Sequence, residues 1–368
     1  MYFNNVTIFK IYNYLNMNDL FNCSLINKQF NNIFNCDLLW KNIIIEKYID
    51  IDIDEIKKQY NIINFKYIYK KIIDLLYLDK TLNLNKTITG LINLEMLSLD
   101  NNKLKEIPKE IECLINLQYL NLNYNQLQEI PKEFGSLINL RILHLSGNRL
   151  QEIPKEIGSL INLQYLCLYN NQLQEIPQEI GSLINLKELY LHNNQLKEIP
   201  REIEFLINLI RLDLYYNQLQ EIPKEIGYLI NLKILYLDNN QLQKIPKEIG
   251  SLINLQTLYL HYNQLKEIPK EIGSLINLQY LYLNDNQLQE IPKEIRFLIN
   301  LQHLYLNNNQ LKEIPKELYN LTHCTPVGRP SHNKSFSNFY YVLYNKKIEK
   351  FIINLFILPI IQNQHVFQ

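Results

Sequence analysis

The sequence predicts an α/β solenoid, a horseshoe with a parallel β-sheet on its concave face and a small helical domain at the amino terminus. The first observation is a 23-residue repeat that begins at Leu94 and runs through ten units without an insertion. The second is that leucines alternate with other residues early in each unit, which is typical of a short strand with one buried face. The third is that residues 1–75 lack the repeat and show helical spacing instead.

The repeat unit follows the frame L-x-x-L-x-L-x-x-N-x-L-x-x-I-P-x-x-I-x-x-L-I-N, and the unit that begins at Leu278 reads LQYLYLNDNQLQEIPKEIRFLIN. This frame resembles the leucine-rich repeat, specifically its proline-containing 23-residue kind, over about residues 94–323. A single unit cannot bury its leucines, so stacked units should form one continuous core. Strands about 4.8 Å apart, backed by wider outer segments, should curve into the horseshoe.

Several other positions of the frame have a physical reason. The ninth is asparagine in all ten units, and we expect these amides to be buried as a ladder that satisfies the backbone where each strand turns. The proline at the fifteenth position lacks an N–H and cannot extend a strand ladder. Glycine at the nineteenth position of six units should permit a tight bend. Lysine–glutamate doublets after most prolines should form solvated outer rows of cancelling charge.

The amino-terminal segment has a second recognisable spacing over residues 3–40. A hydrophobic helix pattern is followed by an aspartate–leucine pair, a second hydrophobic pattern and a Leu-Leu-Trp end. The residues that carry these features are Ile8, Ile11, Tyr14, Leu15, Asp19, Leu20, Leu25, Ile26, Lys28, Phe30, Leu38, Leu39 and Trp40. This segment resembles the F-box, although Phe3-Asn4 replaces the usual leucine–proline and Phe30 the usual tryptophan.

The resemblance implies a helical hook that binds the Skp-type adaptor of a cullin-RING ubiquitin ligase, with a target protein held by the repeats. The contribution to catalysis would be proximity alone. The residues expected to contact the adaptor are Ile8, Ile11, Leu15, Asp19, Leu20, Leu25, Ile26, Phe30, Leu39 and Trp40. The alternative is a plain helical cap that shields the core of the first repeat, which a solenoid needs.

The predicted domain organisation has five parts. They are an F-box-like hook at 1–45, a helical linker at 46–75, a degenerate first repeat or cap at 76–93, ten repeats at 94–323, and an irregular carboxyl-terminal cap at 324–368.

The concave face is predicted to bind the target protein, because tyrosine is concentrated at outward strand positions and aromatic rings often dominate interfaces. The expected contact residues are Tyr190, Arg211, Asp213, Tyr215, Tyr236, Tyr259 and Tyr282. The alternative is that biased composition supplies the tyrosines and neighbouring rings stack on one another. His192 and His261, three repeats and roughly 14 Å apart, are too distant to share a metal ion, so no metal or cofactor is expected.

The remaining features narrow the function. Equal numbers of basic and acidic side chains, 37 of each, argue against a nucleic-acid or membrane surface. The absence of a signal-peptide pattern and five scattered cysteines favour a cytoplasmic, possibly also nuclear, protein that is not secreted. No nucleotide-binding, zinc-protease or serine-hydrolase motif occurs, so an enzyme is not expected. The competing hypothesis is a non-ligase scaffold for a small GTPase, which would need no F-box.

Overall fold

The computed structural model describes residues 37–48 and 51–312, and the chain divides into two compact units. The first unit comprises Met1–Glu95 with Pro108–Leu117, and the second comprises Met96–Ile107 with Gln118–Gln368. The predicted carboxyl-terminal cap at 324–368 lies outside the described residues. The division into five domains therefore stays a prediction.

The described part of the first unit is helical. Its helices are α1 (Asp37–Lys47), α2 (Ile53–Tyr60), α3 (Phe65–Leu82) and α4 (Ile88–Ile92). Side chains before the last three helices accept backbone N–H groups of the first turn: Asp52 from Glu55, Asn64 from Lys66, and Thr87 from Gly90. These caps satisfy donors that a helix start leaves unpaired.

Helix α3 corrects the predicted boundary between residues 75 and 76. The helix runs through this point because its buried side chains keep helical spacing from Ile68 to Leu82. Residues 76–93, predicted as a degenerate first repeat or a cap, contain the end of α3 and the whole of α4, and no strand. Leu78 and Leu82 are buried on one face of a helix rather than in a strand, whereas Leu76 is exposed.

Helices α2 and α3 also hold the outer segment of the first repeat, which belongs to this unit as a 3₁₀ helix at Lys109–Cys113. The Tyr60 hydroxyl donates to the carbonyl of Cys113 at 2.6 Å. Lys71 Nζ lies 3.4 Å from Glu112 Oε1, and burial raises the pKa of the Cys113 thiol to about 12. The helices therefore pack on the outer segment of the first repeat within this unit, and the alternative of a plain cap for the F-box-like segment stays a prediction.

The described part of the second unit is one parallel sheet of ten strands in sequence order. The strands are β1 (Met96–Ser98), β2 (Tyr119–Asn121), β3 (Ile142–His144), β4 (Tyr165–Cys167), β5 (Glu188–Tyr190), β6 (Arg211–Asp213), β7 (Ile234–Tyr236), β8 (Thr257–Tyr259), β9 (Tyr280–Tyr282) and β10 (His303–Tyr305). Each strand pairs in a register offset by one 23-residue repeat, such as Leu212 with Leu235. The middle leucine of every strand is buried and its two neighbours point outward. The predicted fold class is confirmed.

Each repeat proline that the structure describes is followed by a 3₁₀ helix. This helix forms the outer segment of the repeat, on the other side from the turn that follows the strand. Within the described part of the second unit these helices are Lys132–Ser136, Lys155–Ser159, Gln178–Ser182, Arg201–Phe205, Lys224–Tyr228, Lys247–Ser251, Lys270–Ser274 and Lys293–Phe297. Each proline has an extended backbone, as at Pro223 with φ −63° and ψ 143°. Its carbonyl accepts the N–H of the isoleucine three residues on, as from Ile226, so the proline starts the outer segment.

The asparagine ladder at the ninth position is present, with exceptions to the expected burial. Asn217 Nδ2 donates to the carbonyls of Leu191 and Leu214, and its Oδ1 accepts the N–H of Leu196, all at 3.0 Å. Asn217 is 8% exposed, whereas Tyr216 beside it is 55% exposed. Seven of these residues are buried: Asn125, Asn148, Asn171, Asn217, Asn240, Asn263 and Asn286. Asn194 and Asn309 are half-buried.

Asn102 corrects the prediction that all ten are buried, since it is exposed. It lies beside β1, the first strand of the sheet, so no earlier strand of this sheet covers it. Its Nδ2 donates to the carbonyl of Asp100 instead.

The glycines at the nineteenth position are needed for close approach rather than for an unusual backbone conformation. Gly147, which lies elsewhere in the frame, is the glycine with a positive φ, 68°. A Cβ placed on Gly250 would lie 2.5 Å from the carbonyl oxygen of Glu271 in the next repeat. The glycine therefore lets neighbouring outer segments pack against each other.

Candidate protein-interaction surface

The outward face of the sheet carries a continuous row of tyrosines at the fifth position of the frame. We call Tyr190, Tyr236, Tyr259, Tyr282 and Tyr305 the tyrosine row. Parallel pairing places the last four side by side on successive strands. Their ring centroids are 4.6, 4.2 and 4.4 Å apart in that order. Such contacts immobilise the rings before any partner binds, which lowers the entropy cost of binding.

Arg211 fills the one gap in the tyrosine row, where Asp213 replaces tyrosine on β6. The centre of its guanidinium lies 5.1 Å from the ring centroid of Tyr190 and 5.1 Å from that of Tyr236. These distances are typical of cation–π contacts. The flat guanidinium thus joins two rings on strands β5 and β7, and the row continues without a break across six strands.

Asp213 holds Arg211 in this position through a bidentate ion pair. Its two carboxylate oxygens accept from Nε and Nη2 of Arg211, each at 2.9 Å. The Asp213 side chain is only 1% exposed, and burial raises its pKa while Arg211 opposes that rise. Burial would lower the pKa of Arg211, but the bonds to Asp213 raise it overall. Each charge is therefore compensated by the other.

His192 lies beside this ion pair, stacked between two tyrosine rings. Its ring centroid is 4.5 Å from that of Tyr169 and 4.2 Å from that of Tyr215. Its buried Nδ1 lies 3.9 Å from Asp213 Oδ2, which is beyond hydrogen-bond length. Burial, with the nearby Arg211 charge, lowers the pKa of His192 to about 4. The imidazole is therefore neutral at pH 7.

Acidic side chains outnumber basic ones at the outward strand positions of the described residues. At the third, fifth and seventh frame positions of the described strands, the carboxylates are Asp100, Glu188, Asp213 and Asp238, and the cation is Arg211. The histidines at these positions, His144, His192, His261 and His303, all have lowered pKa values because they are buried. Burial likewise raises the pKa of the Asp238 carboxyl, while His261 opposes that rise. The face is therefore acidic around the tyrosine row at neutral pH.

The structure brings the predicted contact residues together on this face. Tyr190, Arg211 and Asp213 form one contact network with the rest of the tyrosine row, and Tyr215 meets Tyr236 edge-on at 6.2 Å between centroids. Their role in binding stays a prediction. The rings also stack on one another, as the alternative expected, and each remains half-buried.

The sequence analysis did not identify two carboxylates, Glu188 and Asp238, that contact side chains of this face. Glu188 accepts a hydrogen bond from the Tyr190 hydroxyl, and Asp238 lies at the seventh position with its Oδ2 3.6 Å from Nε2 of His261. Both could have been found from the frame, because the third, fifth and seventh positions all face outward. His192 and His261 contact different carboxylates.

The outer side carries a second row that sequence reasoning missed. Isoleucine occupies the twenty-second position of the repeats and is between 48% and 74% exposed at Ile138, Ile161, Ile184, Ile207, Ile230, Ile253, Ile276 and Ile299. The outer side is therefore more apolar than the predicted rows of lysine and glutamate.

In the first unit, Trp40 is the predicted adaptor-contacting residue whose side chain is described. It is fully buried in α1 and its ring centroid lies 5.2 Å from that of Tyr69 on α3. Trp40 therefore anchors α1 to the helical core. Leu39 belongs to α1, while the predicted contacts Ile8, Ile11, Leu15, Asp19, Leu20, Leu25, Ile26 and Phe30 lie outside the described residues.

Other kinds of site are absent from the described parts of the chain. Across residues 37–48 and 51–312, no three histidine, cysteine or carboxylate side chains lie close enough to hold a metal ion. The described helices include none with both the length and the apolar character of a membrane span.

The ten-stranded parallel sheet with its asparagine ladder is a leucine-rich-repeat solenoid. Family models agree: the leucine-rich repeat model matches residues 85–127, 184–242, 230–288 and 253–311, and a leucine-rich repeat region model matches 132–194. An F-box-like model matches residues 6–46. The chain belongs to the leucine-rich-repeat proteins, and its amino-terminal segment matches the F-box-like family.

Several solved structures are similar to this chain. A leucine-rich-repeat protein of Leptospira interrogans is 39% identical over 65% of this chain and 78% of its own, with a TM-score of 0.43. The plant peptide hormone receptor RGFR1, in complex with RGF2, is 31% identical with a TM-score of 0.51. The Arabidopsis receptor kinase HAESA, in complex with the peptide hormone IDA and the co-receptor SERK1, is 28% identical with a TM-score of 0.52.

The matches to the two plant receptors cover 59% and 61% of this chain, but only 40% of each receptor. No curated protein sequence matches this chain significantly. Both modules that the chain contains, the F-box-like segment and the leucine-rich repeats, are non-catalytic interaction modules. The chain therefore has a protein-interaction role.

Proposed function

We propose that this chain is a substrate receptor of a cullin-RING ubiquitin ligase. The observation that carries the proposal is the F-box-like match at residues 6–46 on the same chain as the repeat array. The F-box-like segment binds a Skp-type adaptor, and the adaptor links the chain to the cullin. The outward face of the sheet binds the target protein and places its lysines near the conjugating enzyme.

The tyrosine row supports the target-binding half of the proposal. Its rings are half-buried and fixed by their neighbours, and large rigid rings give much contact area at little entropic cost. Two similarly folded plant receptors are in complex with their ligands, the peptide hormone receptor RGFR1 with RGF2 and HAESA with the peptide hormone IDA, which is a precedent for ligand binding by such arrays. The proposed place of action is the cytoplasm, with the nucleus as a second compartment.

The capping contacts of α2 and α3 are compatible with adaptor binding. Tyr60 and Lys71 hold residues 109–113 from one side of the helical core, while the F-box-like match ends in α1. One helical domain can therefore cap the first repeat and present a binding segment through different residues.

The test is co-purification of a recombinant Skp-type adaptor with the full chain. Leu20→Asp with Ile26→Asp places two charges in the proposed apolar contact, and we expect at least a tenfold loss of bound adaptor. The matched control is Ile161→Asp with Ile184→Asp, which adds the same charges at two exposed isoleucines of the outer row. This control should retain the adaptor.

Two outcomes contradict the proposal. The first is an intact chain that binds no Skp-type adaptor, which would favour the non-ligase scaffold. The second is wild-type retention by the Leu20→Asp and Ile26→Asp variant with an unchanged circular dichroism spectrum. If that variant loses helical signal, Leu20→Ala with Ile26→Ala takes its place, with the expected loss reduced to several-fold.

A further inference from the structure

The chemistry of the target can be inferred from the charges around the tyrosine row. Asp213 is paired with Arg211, which is also the cross-strand neighbour of Glu188. Among the described residues, no lysine or arginine occupies an outward strand position next to Asp238. Asp238 is held by the Asn239 amide at 3.0 Å and faces His261. Since burial lowers the pKa of His261, this histidine does not neutralise the Asp238 carboxylate at pH 7.

These carboxylates act on the rings themselves. Burial raises the pKa of Tyr236 and Tyr259, and the charge of Asp238 raises both further, although Arg211 lowers that of Tyr236. For Tyr190, burial and the bond to Glu188 raise the pKa, and Arg211 opposes the rise. The negative charge of Asp238 therefore acts on Tyr259, a ring that a partner would contact. A cationic group gains from this charge, whereas a carboxylate or phosphate would be repelled.

Arg211 shows that the tyrosine row accommodates a cation. Its guanidinium is seated between Tyr190 and Tyr236 with both ring distances at 5.1 Å. Beyond β7, the rings of Tyr236, Tyr259 and Tyr282 are tilted by 37° and 49° to one another. Each of these three tyrosines is half-buried and so remains partly accessible to solvent, and the largely buried Asp238 lies two residues after Tyr236 on the same outward face.

We propose that the tyrosine row binds a basic segment of the target protein, with a lysine or arginine side chain on the rings of Tyr236 and Tyr259 near Asp238. This inference rests on the proposed function insofar as the sheet face is the target-binding surface. An acidic or phosphorylated segment is disfavoured, because Arg211 is the one cation at the outward strand positions of the described residues and already donates two hydrogen bonds to Asp213.

The test is selection from a phage-displayed library of random decapeptides on the full chain. We expect enriched peptides to carry a net positive charge, with lysine and arginine at least threefold above their frequency in the unselected library. Tyr236→Ala with Tyr259→Ala should reduce the binding of the enriched peptides at least tenfold, because it removes the ring contacts. Asp238→Asn should weaken it three- to tenfold.

The matched control is Glu221→Gln, which removes one carboxylate at an exposed position in the turn after β6. It removes as much negative charge as Asp238→Asn does, so an equal effect of both would indicate non-specific attraction and overturn the inference. The inference would also be overturned if the enriched peptides were neutral or acidic, or if no peptide were enriched. Unchanged binding of the enriched peptides by the Tyr236→Ala with Tyr259→Ala variant would overturn it as well. Adaptor co-purification is independent of these outcomes, so the two proposals can fail separately.

Discussion

Each repeat contains two turns that carry an asparagine at 23-residue spacing, and the two asparagines differ in what they hold. In the turn after the strand, Asn217 is buried and makes bonds to Leu191, Leu214 and Leu196. In the turn before the next strand, Asn231 is exposed and its Nδ2 donates to the carbonyl of Ile207 at 2.8 Å. Both ladders run across the sheet, yet only the first is buried over most of its length.

Residue type and spacing are enough to identify a ladder of asparagines, but burial determines how much each asparagine contributes to the free energy of unfolding. A bond lost in the exposed turn is replaced by a bond to water, so its net value is small. A bond lost in the buried turn leaves backbone groups without any partner. The buried turn adjoins the strand residues that form the tyrosine row, so its rigidity also supports the proposed binding surface.

The largest expected effect is that of Asn217→Ala against Asn231→Ala. The first should lower the free energy of unfolding by about 2–3 kcal/mol, because it leaves buried carbonyl and N–H groups unpaired. The second should cost about 0.5 kcal/mol, since water reaches the carbonyl of Ile207. Equilibrium denaturation with urea measures both, and equal losses in the two variants would contradict the distinction.

A second effect concerns packing between the 3₁₀ helices of neighbouring repeats. Gly250→Ala should cost about 1–2 kcal/mol, because the new Cβ would lie 2.5 Å from the Glu271 carbonyl oxygen and force neighbouring outer segments apart. The repeat with Glu204 at the same frame position shows that the backbone can adjust, which limits the cost. Ser251→Ala, one residue on and exposed, is the control, and a thermal midpoint equal to that of this control would mean that the contact relaxes without strain.

The sequence predicts much of this fold because the repeat frame fixes which residues point inward. Asn217 could be placed in a buried turn from its position alone. The reason for Gly250 could not, since it depends on the approach of Glu271 from the next repeat. The end of α3 was also missed, because its buried leucines after residue 75 can be matched to a repeat or to a helix.

The candidate site was predictable as a set of residues but not as an arrangement. The frame placed Arg211 and Asp213 on the outward face. It did not show that the guanidinium would sit between Tyr190 and Tyr236, because this depends on side-chain contacts across three strands. The apolar outer row of isoleucines was overlooked since the lysine–glutamate doublets dominate the outer sequence.

The smallest expected effect is a pH dependence of stability that arises from His192, at the seventh position of the frame. It tests whether His192 is buried from water as the asparagine at the ninth position is. The pKa of His192 is about 4 in the folded chain and 6.5 is its ordinary value, so the unfolded chain binds the proton more readily. Stability from the neutral imidazole is therefore present above pH 6.5 and is lost as the pH falls toward 4. Between pH 7.5 and 5.5 the loss should be about 1 kcal/mol.

The measurement is urea denaturation of the wild type and of His192→Phe at these two pH values. Phenylalanine keeps a flat ring between Tyr169 and Tyr215 but cannot titrate, so the pH-dependent loss should be about 1 kcal/mol smaller in the variant. Staying above pH 5.5 limits the contribution of carboxylates with ordinary pKa values, which are near 4. An identical pH dependence in both proteins would mean that water or Asp213 stabilises the imidazolium. His192 would then resemble Asn231 in the exposed turn, where water compensates for the loss of a contact.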